Sequence, residues 1–184
     1  MPNLAFLADA DLRGGLQDRL QRVETRLAEA VKSSYPFVTE TSTHLVAAGG
    51  KRFRPLMALL CAGFGDPDQD AVYDAATVVE LTHLATLYHD DVMDEAPLRR
   101  GRPSANSRWD NSVAILTGDF LFSPASDILA DLGPGAVRIQ PRTFGHRQRL
   151  PFVLLGTQRG RAVGFGQAVD VGDVEAHLLH AFDH

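Results

Sequence analysis

The sequence has little of what secreted or membrane-spanning proteins require. Cys61 is the only cysteine, so no disulfide can form within the chain. It lies in the apolar run LMALLCAGF, where we expect a buried small side chain. No uninterrupted apolar stretch reaches the ~20 residues of a membrane span, and the N-terminus has no basic start followed by an apolar core. These absences predict a protein of the reducing cytoplasm.

The charge balance argues against a nucleic-acid partner. The formal net charge is −5 and the isoelectric point is about 5.7. The arginines form local clusters and are not spread along one face, so we expect no nucleic-acid binding. With 184 residues, 45% of them hydrophobic, the chain can bury one core.

Apolar residues near the N-terminus recur at intervals of three and four, which predicts an amphipathic helix. A second helix is predicted over residues 37–48, ending at Gly49-Gly50. A third, over residues 54–64, is almost wholly apolar, so we expect it to be central. The apolar stripe of the first helix consists of Leu12, Leu16, Leu20, Val23, Leu27 and Val31.

Two further helices are predicted in the middle of the chain. Asp70 follows the turn GDPDQD and is expected to cap a long helix. Asn106 or Ser107 is expected to start another. Pro124 falls inside the pattern of that last helix, so it should kink or stop it.

The segment ELTHLATLYHDDVMDEAPLRR carries the strongest functional signal. At about 100° per residue, His83, Asp90 and Asp94 fall within an arc of roughly 40° on one helix face. Asp91 lies beside them. Carboxylates one turn apart repel each other unless a cation lies between them. Magnesium fits such a pair, because it takes one or two carboxylates together with waters and substrate phosphates.

Basic residues lie on both sides of this helix in the sequence. Arg99 and Arg100 follow the aspartates and suit forked hydrogen bonds to phosphate. Upstream, GGKRFRP places Lys51, Arg52 and Arg54 at a helix N-terminus, a natural anion site. A solvated acidic helix end with exposed basic turns is the alternative. The combination of both clusters in one small chain favours a metal and polyanion site.

The order GGKRFRP, ELTHLATLYHDDVMDEAPLRRGRPSAN, NSVAILTGDFLF resembles the trans-isoprenyl diphosphate synthases. More narrowly, it resembles the long-chain polyprenyl diphosphate synthases of bacteria. The similarity runs from about residue 12 to about residue 140. It implies an all-α fold, the isoprenoid synthase helical bundle. It also implies a prenyltransferase that uses Mg²⁺ to condense an allylic diphosphate with isopentenyl diphosphate, giving long-chain polyprenyl diphosphates.

The resemblance assigns roles to the aspartates and to the first arginine after them. Asp90 and Asp94, with Asp91 helping, correspond to the catalytic residues that hold Mg²⁺ ions bridging to the allylic diphosphate. Arg99 corresponds to a residue that binds the same diphosphate.

The resemblance assigns a second group of residues to isopentenyl diphosphate. These are Lys51, Arg54, His83 and Arg100. A plain helix-face histidine is the alternative for His83. His89 matches no family role, and we interpret it as structural.

Two further expectations follow from the resemblance. Ala85 and Thr86, five and four residues before Asp90, correspond to positions that meet the growing prenyl chain. Both are small, which predicts long products. A homodimer is expected through the helix spanning residues 111–122, whose apolar stripe is Val113, Leu116 and Phe120.

The character of the sequence changes after Gln140. Residues 1–140 are interpreted as the N-terminal part of a polyprenyl synthase domain, and residues 141–184 as an unrelated tail. No second DDxxD segment follows; Asp170 and Asp173 are isolated among glycines. We interpret the chain as truncated or frame-shifted, with a divergent C-terminal half as the alternative. Loss of the second aspartate motif predicts weak or absent catalysis.

Two functions from different classes remain open. The first is an enzyme, or part of one, that makes polyprenyl diphosphates. The second is a non-catalytic subunit that binds prenyl diphosphates or docks on an intact synthase. The complete first aspartate motif and both basic clusters favour the enzyme.

Overall fold

A computed structural model describes Leu4, residues 9–144 and the segments 156–157, 161–164 and 167–170. This part of the chain is predominantly helical, which confirms the all-α prediction. The helices are α1 (Ala10–Ala30), α2 (Pro36–Ala47), α3 (Phe53–Ala62), α4 (Asp70–Met93), α5 (Ala105–Arg108), α6 (Asn111–Asp131) and α7 (Pro134–Phe144). The strands are β1 (Leu98–Arg99), β2 (Arg102–Pro103), β3 (Gly156–Thr157), β4 (Arg161–Gly164) and β5 (Gln167–Asp170).

The short strands form two antiparallel sheets. β1 and β2 make a hairpin directly after α4, and β3, β4 and β5 follow one another in a three-stranded sheet. The helix α7 crosses the boundary that we placed at residue 140. The division into a domain and an unrelated tail stays a prediction.

The centre of the bundle is α4, which packs against α1, α3 and α6. Its side chains are buried around most of its circumference, including Tyr73, Leu81, Leu84 and Tyr88. A helix that is apolar on all sides belongs in the interior. The tyrosine hydroxyls find polar partners there: the Tyr88 hydroxyl donates to the Thr41 carbonyl of α2.

The expectation that α3 is central was wrong. Only one of its faces, with Pro55, Leu56 and Leu59, is buried. Phe53 and Met57 on the other side are exposed. Cys61 is also exposed, contrary to our expectation of burial. An apolar sequence shows that a helix can be buried, but packing on one side only leaves its other face in solvent.

The start of α4 is held by ion pairs and not by the predicted cap. Gln69 occupies the N-cap position without a side-chain hydrogen bond, and Asp70 is the first helical residue. The Asp70 carboxylate instead accepts from Arg26 of α1 at 2.6 Å. Arg22 stacks over the Tyr73 ring with 3.8 Å between the guanidinium carbon and the ring centroid. Long-range pairing therefore replaces a local cap at this helix end.

The region before and inside α6 also differs from the prediction. A short helix, α5, begins at Ala105, and α6 starts only after Asp110, whose carboxylate accepts from the Val113 amide at 2.8 Å. Pro124 does not stop α6, which continues to Asp131. Buried side chains on both sides of the proline, such as Leu121 and Ala125, anchor both halves in the core.

Two of the three residues of the predicted dimer stripe on α6 lie inside the chain, and Leu116 is half-buried. Val113 is fully buried and Phe120 nearly so, because α6 packs along α4. These two side chains are therefore not available to a second copy. The proposal of a homodimer loses the surface on which we based it.

One described helix, α6, is long and apolar enough to cross a membrane by length and composition. In its most apolar window, 50% is buried inside the chain. Core helices of soluble proteins meet the same criterion, so this is weak evidence for a span. The expected absence of a membrane span stays a prediction.

The continuity of α6 through Pro124 generates a stability prediction. A proline inside a helix lacks the amide that would donate to the carbonyl four residues earlier. We expect Pro124→Ala to raise the free energy of unfolding by about 1 to 3 kcal/mol, measured by urea unfolding. Pro134→Ala is the matched control, because Pro134 opens α7, where no amide is needed. A gain no larger than that of the control would contradict this account.

Candidate active site

The carboxylates cluster at the C-terminal end of α4. The Asp94 amide donates to the Asp90 carbonyl at 2.8 Å, so these residues lie one helical turn apart, as the spacing predicted. Asp90 is half-buried and Asp94 is exposed. Asp91, on the inner side, is fully buried. The end of the central helix therefore presents two carboxylates outward and one inward.

Asp91 is tied to Arg99. Arg99 Nε donates to Asp91 Oδ1 at 2.5 Å, and one terminal nitrogen of the same guanidinium lies 2.5 Å from that oxygen. The other oxygen, Oδ2, is buried without a hydrogen-bond partner among the described residues. Burial raises the pKa of Asp91; Arg99 opposes this, whereas the charges of Asp90 and Asp94 add to it.

The crowding of these carboxylates fits a cation. A buried, unpartnered carboxylate oxygen next to two further carboxylates is a cost that a divalent ion would remove. Among the residues that the structure describes, no group of three or more His, Cys, Asp or Glu side chains is placed to hold a metal. Magnesium needs fewer, since Asp90 and Asp94 can be its carboxylate ligands and substrate phosphates can complete the shell.

The hairpin β1–β2, which the sequence analysis did not predict, carries Arg99 and Arg100. Its turn residues, Arg100 and Gly101, both have positive φ, 52° and 75°. This is the backbone pattern of the tight turns that join antiparallel strands. The sequence feature that could have predicted the hairpin is Gly101 at the second turn position, because a two-residue turn there joins two short strands. The turn directs Arg99 to the end of α4 and Arg100 to the end of α2.

Arg100 closes the C-terminus of α2. It donates to the Leu45 carbonyl at 3.0 Å and to the Gly49 carbonyl. Gly50 lies against the guanidinium: a Cβ on it would lie 3.0 Å from the central carbon of Arg100. With φ at 151°, Gly50 also has a backbone that favours glycine. Arg100 was predicted to bind substrate, and the structure shows that part of its hydrogen-bonding capacity goes to this carbonyl cap.

Arg52 was expected to face an anion together with Lys51 and Arg54, but the structure buries it. It is 4% exposed and has a φ of 45°. Its guanidinium donates to both oxygens of Glu24, at 2.5 and 3.0 Å, to Glu80 at 3.0 Å and to the Val46 carbonyl at 3.1 Å. Glu24 and Glu80 were missed. A glutamate among apolar residues on the long helix was the available signal for Glu80, because charges are buried only with partners.

Lys51 and Arg54, on either side of Arg52, are exposed. Neither makes an ion pair within the part of the chain that the structure describes. Burial is the largest cause that lowers the pKa of His83 from 6.5 to about 4, and the positive charges of four arginines add to it in the same direction. In decreasing order of effect, the four arginines are Arg54, Arg100, Arg99 and Arg52. Arginines from both basic segments therefore act on His83, and the histidine is neutral at neutral pH.

The remaining predicted residues lie deeper. Ala85 is fully buried and Thr86 is 7% exposed. The Thr86 hydroxyl donates to the His83 carbonyl at 2.8 Å. Their role in product length stays a prediction. His89 contacts α6 through the Ile115 carbonyl at 3.1 Å and Asp119 at 3.3 Å, which fits a structural role.

Comparison with known proteins identifies the family. The family model for polyprenyl synthetases matches residues 35–179. The chain belongs to the polyprenyl synthetase family. Nonaprenyl diphosphate synthase of Mycobacterium tuberculosis is 50% identical over 139 residues, which cover 75% of this chain and 42% of that protein. Heptaprenyl diphosphate synthase component 2 of Geobacillus stearothermophilus is 45% identical over 130 residues, which cover 70% of this chain and 41% of that protein.

Solved structures confirm the isoprenoid synthase fold for this chain. Geranylgeranyl pyrophosphate synthase of Corynebacterium glutamicum, in complex with calcium and isoprenyl diphosphate, is similar with a TM-score of 0.65 and 49% identity. That match covers 75% of this chain and 42% of the other. Polyprenyl synthase of Caulobacter crescentus is similar with a TM-score of 0.65 and 35% identity. The match covers 68% of this chain and 39% of the other. The chain spans about two fifths of the length of the relatives it matches.

The low pKa of His83 generates a prediction about stability. Unfolded His83, with an ordinary pKa near 6.5, binds a proton between about pH 6.5 and pH 4, whereas folded His83 stays neutral. The unfolded state therefore gains protons in this window, and the free energy of unfolding should fall as the pH is lowered. His83→Gln should make the fall shallower in urea unfolding at about pH 7 and pH 5. The same slope in both proteins would show that His83 is not shielded from protonation.

Proposed function

We propose that this chain binds an allylic diphosphate and isopentenyl diphosphate with Mg²⁺, as part of a prenyltransferase that makes long-chain polyprenyl diphosphates. The observation that carries the proposal is the arrangement along α4. His83 and the cations around it lie two turns before the carboxylates, about 10 Å along the helix axis. Two diphosphate sites, one with carboxylates for a metal and one with cations alone, fit side by side there.

Asp90 and Asp94 are the residues that would hold Mg²⁺ at the allylic site. Mg²⁺ held there would neutralise the negative charge that develops on a leaving diphosphate, a Lewis-acid contribution. Arg99 borders the same end of α4. Its ion pair with buried Asp91 holds the guanidinium next to the metal ligands, where it can orient a phosphate oxygen. The preorganised charges of this chain thus face the position of the leaving group.

The second site would take isopentenyl diphosphate without a metal. Lys51 and Arg54 are exposed cations, and neutral His83 can donate a hydrogen bond from its ring. Arg100 adds positive charge at the inner side of this group, although its donors are shared with the α2 carbonyls. Binding there would aim the double bond of isopentenyl diphosphate at the carbon that loses its diphosphate.

Small side chains below the metal end support long products. Ala85 and Thr86 lie one turn before Asp90, and neither provides an aromatic floor for a short pocket. Each added prenyl unit buries five carbons, at about 0.8 kcal/mol per methylene-sized group. Elongation beyond the C20 class is therefore our proposal for the lineage to which the chain belongs.

A second candidate, a non-catalytic subunit that docks on a synthase, draws support from α3. Phe53 and Met57 are exposed on this helix, and Phe64 just after it is 97% exposed. Apolar side chains gathered on one surface are typical of interaction sites. The two candidates differ in whether turnover takes place on this chain.

The allylic site can be tested by calorimetric titration with a non-hydrolysable allylic diphosphate. We expect binding that depends on Mg²⁺ and that the double substitution Asp90→Asn, Asp94→Asn weakens by about a hundredfold, because two charge-assisted ligands are lost. The matched control is Asp127→Asn, which removes an exposed carboxylate from α6. Binding that is equal in the double variant and the wild type, or independent of Mg²⁺, would refute the proposed site.

A further inference from the structure

Two arginines, Arg52 (buried) and Arg100 (half-buried), lie next to one buried glutamate in the interior of the bundle. Glu80 lies in the middle of α4 and is 2% exposed. Its Oε1 accepts from Arg52 at 3.0 Å and lies 4.0 Å from a terminal nitrogen of Arg100. Neither substrate proposed above needs a carboxylate at this position. A buried charge is costly unless it is paired, so its pairing with both arginines is the observation to explain.

Both arginines donate hydrogen bonds to carbonyl oxygens at the C-terminal end of α2. Arg52 donates to the Val46 carbonyl, and Arg100 donates to the carbonyls of Leu45 and Gly49. The last carbonyls of a helix have no partner within it, and cations there also interact favourably with the helix dipole. Glu80 therefore holds, through two guanidinium groups, the point where α2 ends and the GGKR turn begins.

The GGKR turn needs these side-chain contacts because part of its backbone has a conformation that is unfavourable on its own. Gly49, Gly50 and Arg52 all have positive φ. For Arg52 this conformation is unfavourable, and it persists only where other contacts impose it. The paired contacts of Arg52 with Glu24 and Glu80 are such contacts. With Arg52 directed inward, its neighbours Lys51 and Arg54 are left exposed on the outer side.

We propose that Glu80 is a positioning residue for the isopentenyl diphosphate site: through Arg52 and Arg100 it fixes the turn that presents Lys51 and Arg54. Glu24, which binds Arg52 from α1, supports the same anchor from the other side. This inference rests on the proposed function for the identity of the ligand. It assigns Glu80 no contact with substrate and no part in the metal site.

The test compares two ligands in one variant. In Glu80→Gln, which keeps the shape and loses the charge, isopentenyl diphosphate should bind about tenfold more weakly in calorimetry, as expected for loss of a charge-assisted anchor. Binding of the non-hydrolysable allylic diphosphate with Mg²⁺ should stay within about twofold of wild type. Glu40→Gln is the matched control, because it breaks an exposed glutamate–arginine pair, with Arg108, away from the turn. Equal losses for both ligands, or no loss for either, would overturn the positioning role.

Two further measurements keep the outcome decisive. If Glu80→Gln does not fold, Glu24→Gln replaces it; this partner of Arg52 is 27% exposed, and about a threefold loss confined to isopentenyl diphosphate is expected. If wild type binds no isopentenyl diphosphate, the proposed function fails, and hydrogen exchange then decides the anchor. The Gly49 amide donates a hydrogen bond to the Val46 carbonyl, and the Leu56 amide donates one to the Arg52 carbonyl. Both amides should exchange faster in Glu80→Gln than in wild type. Unchanged exchange would overturn the anchor as well.

Discussion

The central helix α4 has to satisfy two opposing demands. Most of its surface must be apolar, because α1, α3 and α6 surround it. Its last turn must nevertheless hold three carboxylates, one of them fully buried. The ion pair between Asp91 and Arg99 reconciles these demands, because the inward carboxylate is neutralised from a hairpin outside the bundle. The positions of the outward carboxylates and of the hairpin follow from where α4 ends, and the basic turn is held further back along the same helix, at Glu80.

The features that the sequence predicted well are those set by periodicity and by local chemistry. In the predicted stripe of α1, Leu16, Leu20, Val23 and Leu27 are buried, and so is Val31 at the C-cap. Leu12, at the first turn, is 44% exposed, so the prediction was wrong for that residue. The spacing of Asp90 and Asp94 placed them one turn apart, and Gly49-Gly50 marked the end of α2 within a residue or two. Each of these depends on contacts within a few residues, which the order of amino acids displays directly.

The features that the sequence did not predict depend on distant partners. Asp70 looks like a helix cap, but Arg26, 44 positions earlier, takes its carboxylate. Arg52 looks like one more surface cation, but Glu24 and Glu80 bring it into the core. Pro124 looks like a helix end, but buried neighbours on both sides hold α6 together. In all three cases tertiary contacts overrule a local preference that is worth about 1 to 3 kcal/mol.

The hairpin β1–β2 has a consequence for the spacing of the two sites. Arg99 and Arg100 are consecutive, yet one is fixed to Asp91 at the metal end and the other to the carbonyls of α2 at the cationic end. Consecutive Cα atoms are about 3.8 Å apart across a trans peptide. One peptide unit therefore joins the ion pair at the end of α4 to the carbonyl contacts at the end of α2, so covalent geometry limits how far these two helix ends can move apart. A residue inserted between the two arginines would lengthen this link and let the two ends move independently.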